Sequence, residues 1–448
     1  MKSMQKSILI FLYILISITA QAQWQSLFNG QDLSGWKTAG GKAKFYVENG
    51  EIIGESVAKT GNSFLITEKE YSNFIFEAEF KIDEGINSGI QFRSKQRDNG
   101  VVYGYQMEID HSSRSWSGGI QEEQNRRWLY PLSLNKKAKS AYKINEWNTY
   151  RIECIGSDIK TFVNDIPTAH LMDDLSLKGF IGLQVHSPYK PEDAGKKMRW
   201  KNIRIQTENL EIRKSSDIYT VNLLANQISE SEKAEGWKLL WDGNSSQGWR
   251  SVFKSEFPSN GWEIKDNKLS TISSDGSETG NDIVSIEKYG PGFEIKFDFW
   301  YTEGANSGVK YFVDEQYKTS GRSGIGLEFQ ILDNEKHSDA KNGVSGNRTL
   351  GSLYDMIPSK KISRPAAVPN QWNQGRVVCY PDGKVEHYVN NQLAVEYKRG
   401  DQAFIDLVAK SKYANWKGFG MAEKGHILLQ HHGDNVSFRS IRIKELNN

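Results

Sequence analysis

Two cysteines in 448 residues leave no room for a disulfide framework. Cys154 and Cys379 each share strand parity with an apolar neighbour, Ile152 or Val377, and so read as buried free thiols. A surplus of charge of one sign is also missing. Fifty-seven basic residues are interspersed with 55 acidic ones, for a net charge of +2. That excludes the basic footprint of a nucleic-acid-binding protein. Beyond the N-terminus no apolar run is long enough to span a bilayer as a helix, so no stable membrane anchor is expected. No long stretch repeats its apolar residues at a helical period.

The N-terminal run is of another kind. Lys2 and Lys6 precede an apolar stretch from Ile8 to Ile18, and Ala20-Gln21-Ala22 follows. This predicts a secretory signal over 1–22, a mature chain beginning at Gln23 and a periplasmic or secreted destination. No cysteine lies near that junction, which excludes lipid attachment there.

What the chain has is repetition. Trp24-Gln-Ser-Leu-Phe-Asn-Gly matches Trp237-Lys-Leu-Leu-Trp-Asp-Gly, and both copies run on to a Gly-Trp pair ending at Trp36 or Trp249. Asn87-Ser-Gly89 matches Asn306-Ser-Gly308, and Trp147-Asn148 matches Trp372-Asn373. Leu183-Gln184-Val185-His186 matches Leu429-Gln430-His431-His432. An offset of some two hundred residues means a duplicated domain, not a solenoid. The expected organisation is a first domain over 23–207, a connection over 208–235 and a second domain over 236–448.

Each half reads as short alternating strands between Gly, Asn and Asp turns. Asn164-Asp165, Asn390-Asn391 and Asp382-Gly383 fall at hairpin positions. The fold class is therefore all-β, two tandem sandwiches of packed antiparallel sheets. Aromatic residues reach 12% with 13 Trp, most of them expected in the core.

Alternate residues of a strand point to opposite faces. Leu327, Phe329 and Ile331 form one apolar face, and Glu328 with Gln330 forms the other. Asp333 and His337 follow at the strand's end, then Arg348, Tyr354 and Asp355. In Lys384–Asn391, Glu386 shares parity with Tyr388 and is placed in the same hollow, while His387 reads as a core or rim histidine with a lesser claim to the site. Gln430 and His432 take the polar parity of their strand, matched by Gln184 and His186. In the first half Gln106, Glu108 and Asp110 share one face, with His111 next, and Gly118–Glu123 aligns with Gly351–Asp355. Lys160 and Thr161 stand where the second half has Glu386 and His387, which favours binding or altered activity there over identical activity.

The pattern Gly326-x-Glu328-x-Gln330-x-x-Asp333, His337, Asn347-Arg348 and Gly351-Ser-Leu-Tyr-Asp355 is followed by Val385-Glu-His-Tyr388 and Leu429-Gln-His-His-Gly433. Together these resemble the 3-keto-disaccharide hydrolase domain family, closely from Trp237 onward and more loosely over 24–207. The resemblance implies a concanavalin-like jelly roll with a concave ligand face, a carbohydrate substrate and cleavage of 3-keto-glycosides. A C3 ketone acidifies C2–H, a base removes it, the enolate expels the C1 oxygen, and water adds back. Glu328, Glu386, His432 and His337 are the expected proton-transfer groups. Gln330, Asp333, Arg348, Tyr354, Asp355, His387 and Gln430 are the expected substrate contacts, joined by Glu108, Asp110, Gln184 and His186 in the first half. Two rival readings stay open: a glycosidase using Glu328 and Glu386 as paired carboxylates, and a lectin-like module. No cofactor is certain. A divalent cation on Glu328, Asp333, His337 and His432 is conceivable chemistry, although the spacing fits no metal signature.

Overall fold

The computed structural model describes residues 23–213, 218–272, 281–317, 323–360 and 368–447. The expected signal over 1–22 lies outside them. Both halves are β-sandwiches. In the second half one sheet runs, in spatial order, Trp262–Lys265, Lys268–Thr271, Val436–Glu445, Phe293–Tyr301, Asn373–Cys379, Lys384–Val389 and Gln392–Lys398. The facing sheet runs Trp249–Ser251, Ile283–Tyr289, Gly425–Leu429, Asn306–Val313 and Leu327–Leu332. Between them lie Phe297, Phe299, Phe329, Ile331, Val377, Val385, Ile427 and Leu429, drawn alternately from both sheets as the pleat requires.

The first half repeats this plan. One of its sheets orders Arg127–Tyr130, Ile120–Glu123, Val102–Ile109, Ser88–Gln96, Phe180–Val185, Ser63–Thr67 and Trp36–Gly40. Asn164, Asp165, Asn390 and Asn391 all have positive φ, which makes the two expected hairpins tight turns whose twist suits the strands they join. Cys154 and Cys379 are both buried and free.

Two segments depart from expectation. The connection over 208–235 is more than a tether, because Thr220–Asn222 within it pairs in parallel with Ile166–Met172 at the edge of the first half's other sheet. Glu230–Ala234 then forms a short helix, capped reciprocally by Ser229 and Glu232. Glu232 pairs with the buried Arg442 of the second half at 3.0 Å, and Arg442 also donates to the Asn222 carbonyl at 2.7 Å. The open sheet edge and the unmatched Arg442 supply the reason the segment is built in. The second departure is the helix Gln402–Lys410, whose start is capped by Asp401 accepting from the Phe404 N–H at 2.8 Å. Among the described residues no helix is long and apolar enough to cross a membrane.

Candidate functional site

Asn306–Val313 and Leu327–Leu332 pair with Gly308 opposite Gln330 and Lys310 opposite Glu328. Because Phe329 and Ile331 are committed to the core, Glu328, Gln330 and Lys310 project from the sheet's outer face. Glu328 and Lys310 are both buried, with Lys310 Nζ 3.8 Å from Glu328 Oε2. Lys310 also donates to the Gly324 carbonyl at 3.0 Å and reaches Ser323 Oγ at 3.3 Å. A Cβ on Gly308 would sit 2.7 Å from Glu328 Oε1, so glycine is what lets the carboxylate lie down on the sheet. With its amide nitrogen turned toward the neighbouring acceptors, Gln330 donates to Ser307 O at 3.0 Å and to Glu328 Oε1 at 2.9 Å. Gln430, just past the end of the neighbouring strand Gly425–Leu429, is buried and its Oε1 has no hydrogen-bond partner.

The loop after Leu332 raises one wall. Arg348 donates to Asp355 Oδ1 and Asp339 Oδ1, each at 2.8 Å, and Tyr354 donates to Asp339 Oδ2 at 2.7 Å. Beyond the helix Gln402–Lys410, the Lys412 N–H donates to Asp355 Oδ2 at 2.8 Å, and its ammonium lies 4.2 Å from the Tyr354 ring centre. Burial lowers the Lys412 pKa, Lys310 and Arg348 lower it further, and Glu328 and Asp355 oppose the shift. Glu328 thus lies beside the ammonium groups of Lys310 and Lys412, while Arg348 is held by Asp339 and Asp355. Such a constellation favours negative charge developing on a bound ligand.

Other expected members lie elsewhere. Glu386 sits on the outer face of the opposite sheet, where it accepts from Tyr380 at 3.0 Å and Tyr388 at 2.8 Å and pairs with Lys384 at 2.7 Å. Its neighbours Val385 and Val389 are core, so its side chain points away from the sandwich on the side remote from Glu328. The paired-carboxylate arrangement is therefore absent. His387 is sealed in the core, not exposed to substrate. Its Nε2 lies 2.7 Å from Tyr311 Oη and its Nδ1 3.1 Å from Gly351 O. Thr161 makes the equivalent contact to Gly118 O at 2.7 Å. Both residues brace the loop behind the hollow.

Asp333 is likewise spoken for. Burial raises its pKa, but the N–H groups of Gly304, Glu335 and Lys336 outweigh that and hold it low, so it shapes the turn and is not a substrate contact. His337 Nδ1 accepts from the Asp339 N–H at 3.1 Å, starting a short 3₁₀ turn at the rim. His432 is exposed at the sheet's end, whereas its neighbour His431 is buried beside Trp262. Glu328, Asp333, His337 and His432 do not assemble as a ligand set. No group of three or more His, Cys, Asp or Glu side chains placed to hold an ion occurs among the described residues.

In the first half the same register holds, with Gly89 opposite Glu108 and Gln91 opposite Gln106. Carboxylate and amide have changed places: Gln106 occupies the position of Glu328, and Glu108 that of Gln330. Gln184 Nε2 and Gln91 Nε2 both donate to Gln106 Oε1, at 3.0 and 2.8 Å. His186 is half-buried, and burial lowers its pKa.

The sequence profile of the 3-keto-α-glucoside-1,2-lyase-like domain matches the chain twice, over residues 23–206 and 236–444. The chain belongs to this family. A 3-keto-disaccharide hydrolase from Bacteroides thetaiotaomicron is 33% identical over 236 residues, 48% of this chain and 79% of that protein. A candidate glycosyl hydrolase from Parabacteroides distasonis ATCC 8503 is similar in structure, 26% identical, covering 50% of this chain and 100% of its own with a TM-score of 0.44. A second from the same organism, 23% identical, covers 47% and 99% with a TM-score of 0.36. The duplication is thus two tandem domains of the 3-keto-α-glucoside-1,2-lyase-like family. Lys310, Asp339 and Lys412 escaped the sequence reading. Lys310 had a signal, a lone cation in the apolar strand Asn306–Val313. Asp339 and Lys412 lie in loops, where no periodicity points inward.

Proposed function

We propose that the second domain cleaves 3-keto-glycosides, with Glu328 as the base that removes the C2 proton. The observation that carries this is the state of the carboxylate. Glu328 receives one hydrogen bond, from Gln330, lies 3.8 Å from the Lys310 ammonium and attracts that of Lys412. It keeps a lone pair for a proton while the surrounding cations receive the charge that moves onto the C3 oxygen. The C2–H electrons form the enolate, the C1–O bond breaks, and the aglycone leaves with its bonding pair and takes up the proton that Glu328 removed, which restores the carboxylate. Water then adds across the resulting double bond, its hydroxyl to C1 and a proton to C2. Tyr354 and Arg348, in the wall beside Glu328, are the candidates for positioning the substrate.

Incubation with an aryl 3-keto-glucoside and with the ordinary glucoside tests the reading. Aglycone release from the keto form alone is expected. Equal release from the ordinary glucoside overturns it. Lys310→Gln puts into this hollow the residue that the first half carries at Gln91, so the sheet accommodates it. It is expected to lower turnover by about 10²-fold, the usual loss for one oxyanion-stabilising group. An unchanged rate would remove Lys310 from the mechanism.

A further inference from the structure

The exchange of carboxylate and amide between the halves has a chemical consequence in the first. Glu108 is only 2% exposed, and its oxygens are saturated. Oε1 accepts from Asn87 at 2.7 Å and Arg114 at 3.2 Å, and Oε2 accepts from Gln106 at 3.0 Å and Gln121 at 2.7 Å. A carboxylate with four donors has no lone pair left for a carbon-bound proton. It serves as an anchor. What it anchors is Arg114, whose Nε donates to Asp110 Oδ2 at 2.8 Å. The guanidinium carbon lies 4.7 Å from the ring centre of Trp116 and 4.8 Å from that of Trp128. The two indoles meet edge to face at 4.7 Å. Arg114 keeps 39% of its side-chain surface open, and its Nη1 makes no hydrogen bond among the described residues. Trp116 and Trp128 are each half-buried, and Trp116 also packs against the core.

We infer that this face is a separate, non-catalytic saccharide site, which takes a pyranoside through the free edge of Arg114 and the flanking indoles. A fixed planar donor suits an oxygen with two lone pairs in plane, such as a ring ketone or a carboxylate on the sugar. Indole edges and faces cover the apolar side of the ring. The two acidic residues behind Arg114 remove its rotational freedom before the ligand arrives, which is what lowers the cost of binding. Nothing here depends on Glu328. The inference goes beyond the proposed reaction, which sits in the other domain.

Calorimetric titration of the full chain tests it, with Glu328→Gln in the background so that the probe is not consumed. The probes are methyl 3-keto-glucoside, methyl glucuronoside and methyl glucoside. Two binding events per chain are expected with methyl 3-keto-glucoside. Arg114→Gln, and separately Trp128→Phe in case the first variant unfolds, should each weaken one event at least tenfold and leave the other. Binding of the glucuronoside to the Arg114-dependent site would assign a carboxylate as the preferred group, and tighter binding of the keto form a ketone. Equal affinity for methyl glucoside at that site contradicts the role given to Arg114. A single event per chain, or two events untouched by both substitutions in chains that melt normally, overturns the site. If Glu328→Gln fails to slow cleavage, the proposed reaction falls while this site stands or falls on the titration alone.

Discussion

Glu328→Gln is expected to lower cleavage of a 3-keto-glucoside by about 10²–10⁴-fold, the usual worth of a positioned general base. The substitution is nearly isosteric and leaves Gly308 and Gln330 their neighbour, so thermal melting should be little changed. The loss should appear in kcat more than in KM, because the carboxylate acts on a bond that changes only in the transition state. Retention of more than about a tenth of the wild-type kcat, against the expected loss of two orders or more, would assign the proton transfer elsewhere. Glu108→Gln supplies the contrast. Glu108 is held by four donors, and burial, against the pull of Asn87 and Arg114, raises its pKa to about 7. It is an anchor and not a base in this account, so its loss should act on binding to the first domain and not on the chemical step.

His387→Ala is expected to cost about 2–5 kcal/mol of stability in the second domain, read by denaturant unfolding. The change empties a fully buried site, removes the imidazole contact of the Gly351 carbonyl and leaves Tyr311 Oη with Tyr397 alone. The cost should depend on pH. Burial, partly offset by the backbone contacts of Gly351 and Ser352, lowers the His387 pKa from 6.5 to about 4. The folded domain therefore resists taking up a proton that the unfolded chain accepts. The imidazole's contribution is fully present above about 6.5 and is lost as pH falls through about 4. The gap between wild type and His387→Ala should narrow between those values. A gap that stays constant would show that the imidazole is not neutral in the fold. The same variant releases the loop that carries Tyr354 and Asp355, so some activity should go with the stability.

Much of this was legible because a strand's period is two. Leu327, Phe329 and Ile331 declared the core, and Glu328 and Gln330 fell on the other face as alternation requires. His387 was placed in the core by the same rule, between Val385 and Val389. The rule also explains the error over Glu386. Parity tells which residues turn away from the core, but a sandwich has two outward faces, and nothing in one strand says to which sheet it belongs. Glu386 and Glu328 have the same parity relative to the core and lie on opposite outer surfaces. Once Glu386 leaves the hollow, Lys160 in the first domain ceases to count against that domain. What separates the two faces is the exchange of Gln106 and Glu108 with Glu328 and Gln330, together with Gln91 in place of Lys310. That difference was written in the sequence, but only the register across Gly89 and Gly308 turns it into chemistry. Lys412 and Asp339 could not be read. Their positions depend on a nine-residue helix and a 3₁₀ turn that no repeat or period marks.

The most direct test is to run the cleavage in deuterium oxide and determine, at early times, whether the sugar released has gained carbon-bound deuterium at C2. The account predicts one solvent deuterium there with the wild-type chain and almost none formed with Glu328→Gln. Release of the aglycone with the original C2 hydrogen retained would mean that the bond is broken without proton abstraction at C2, and would contradict the role given to Glu328.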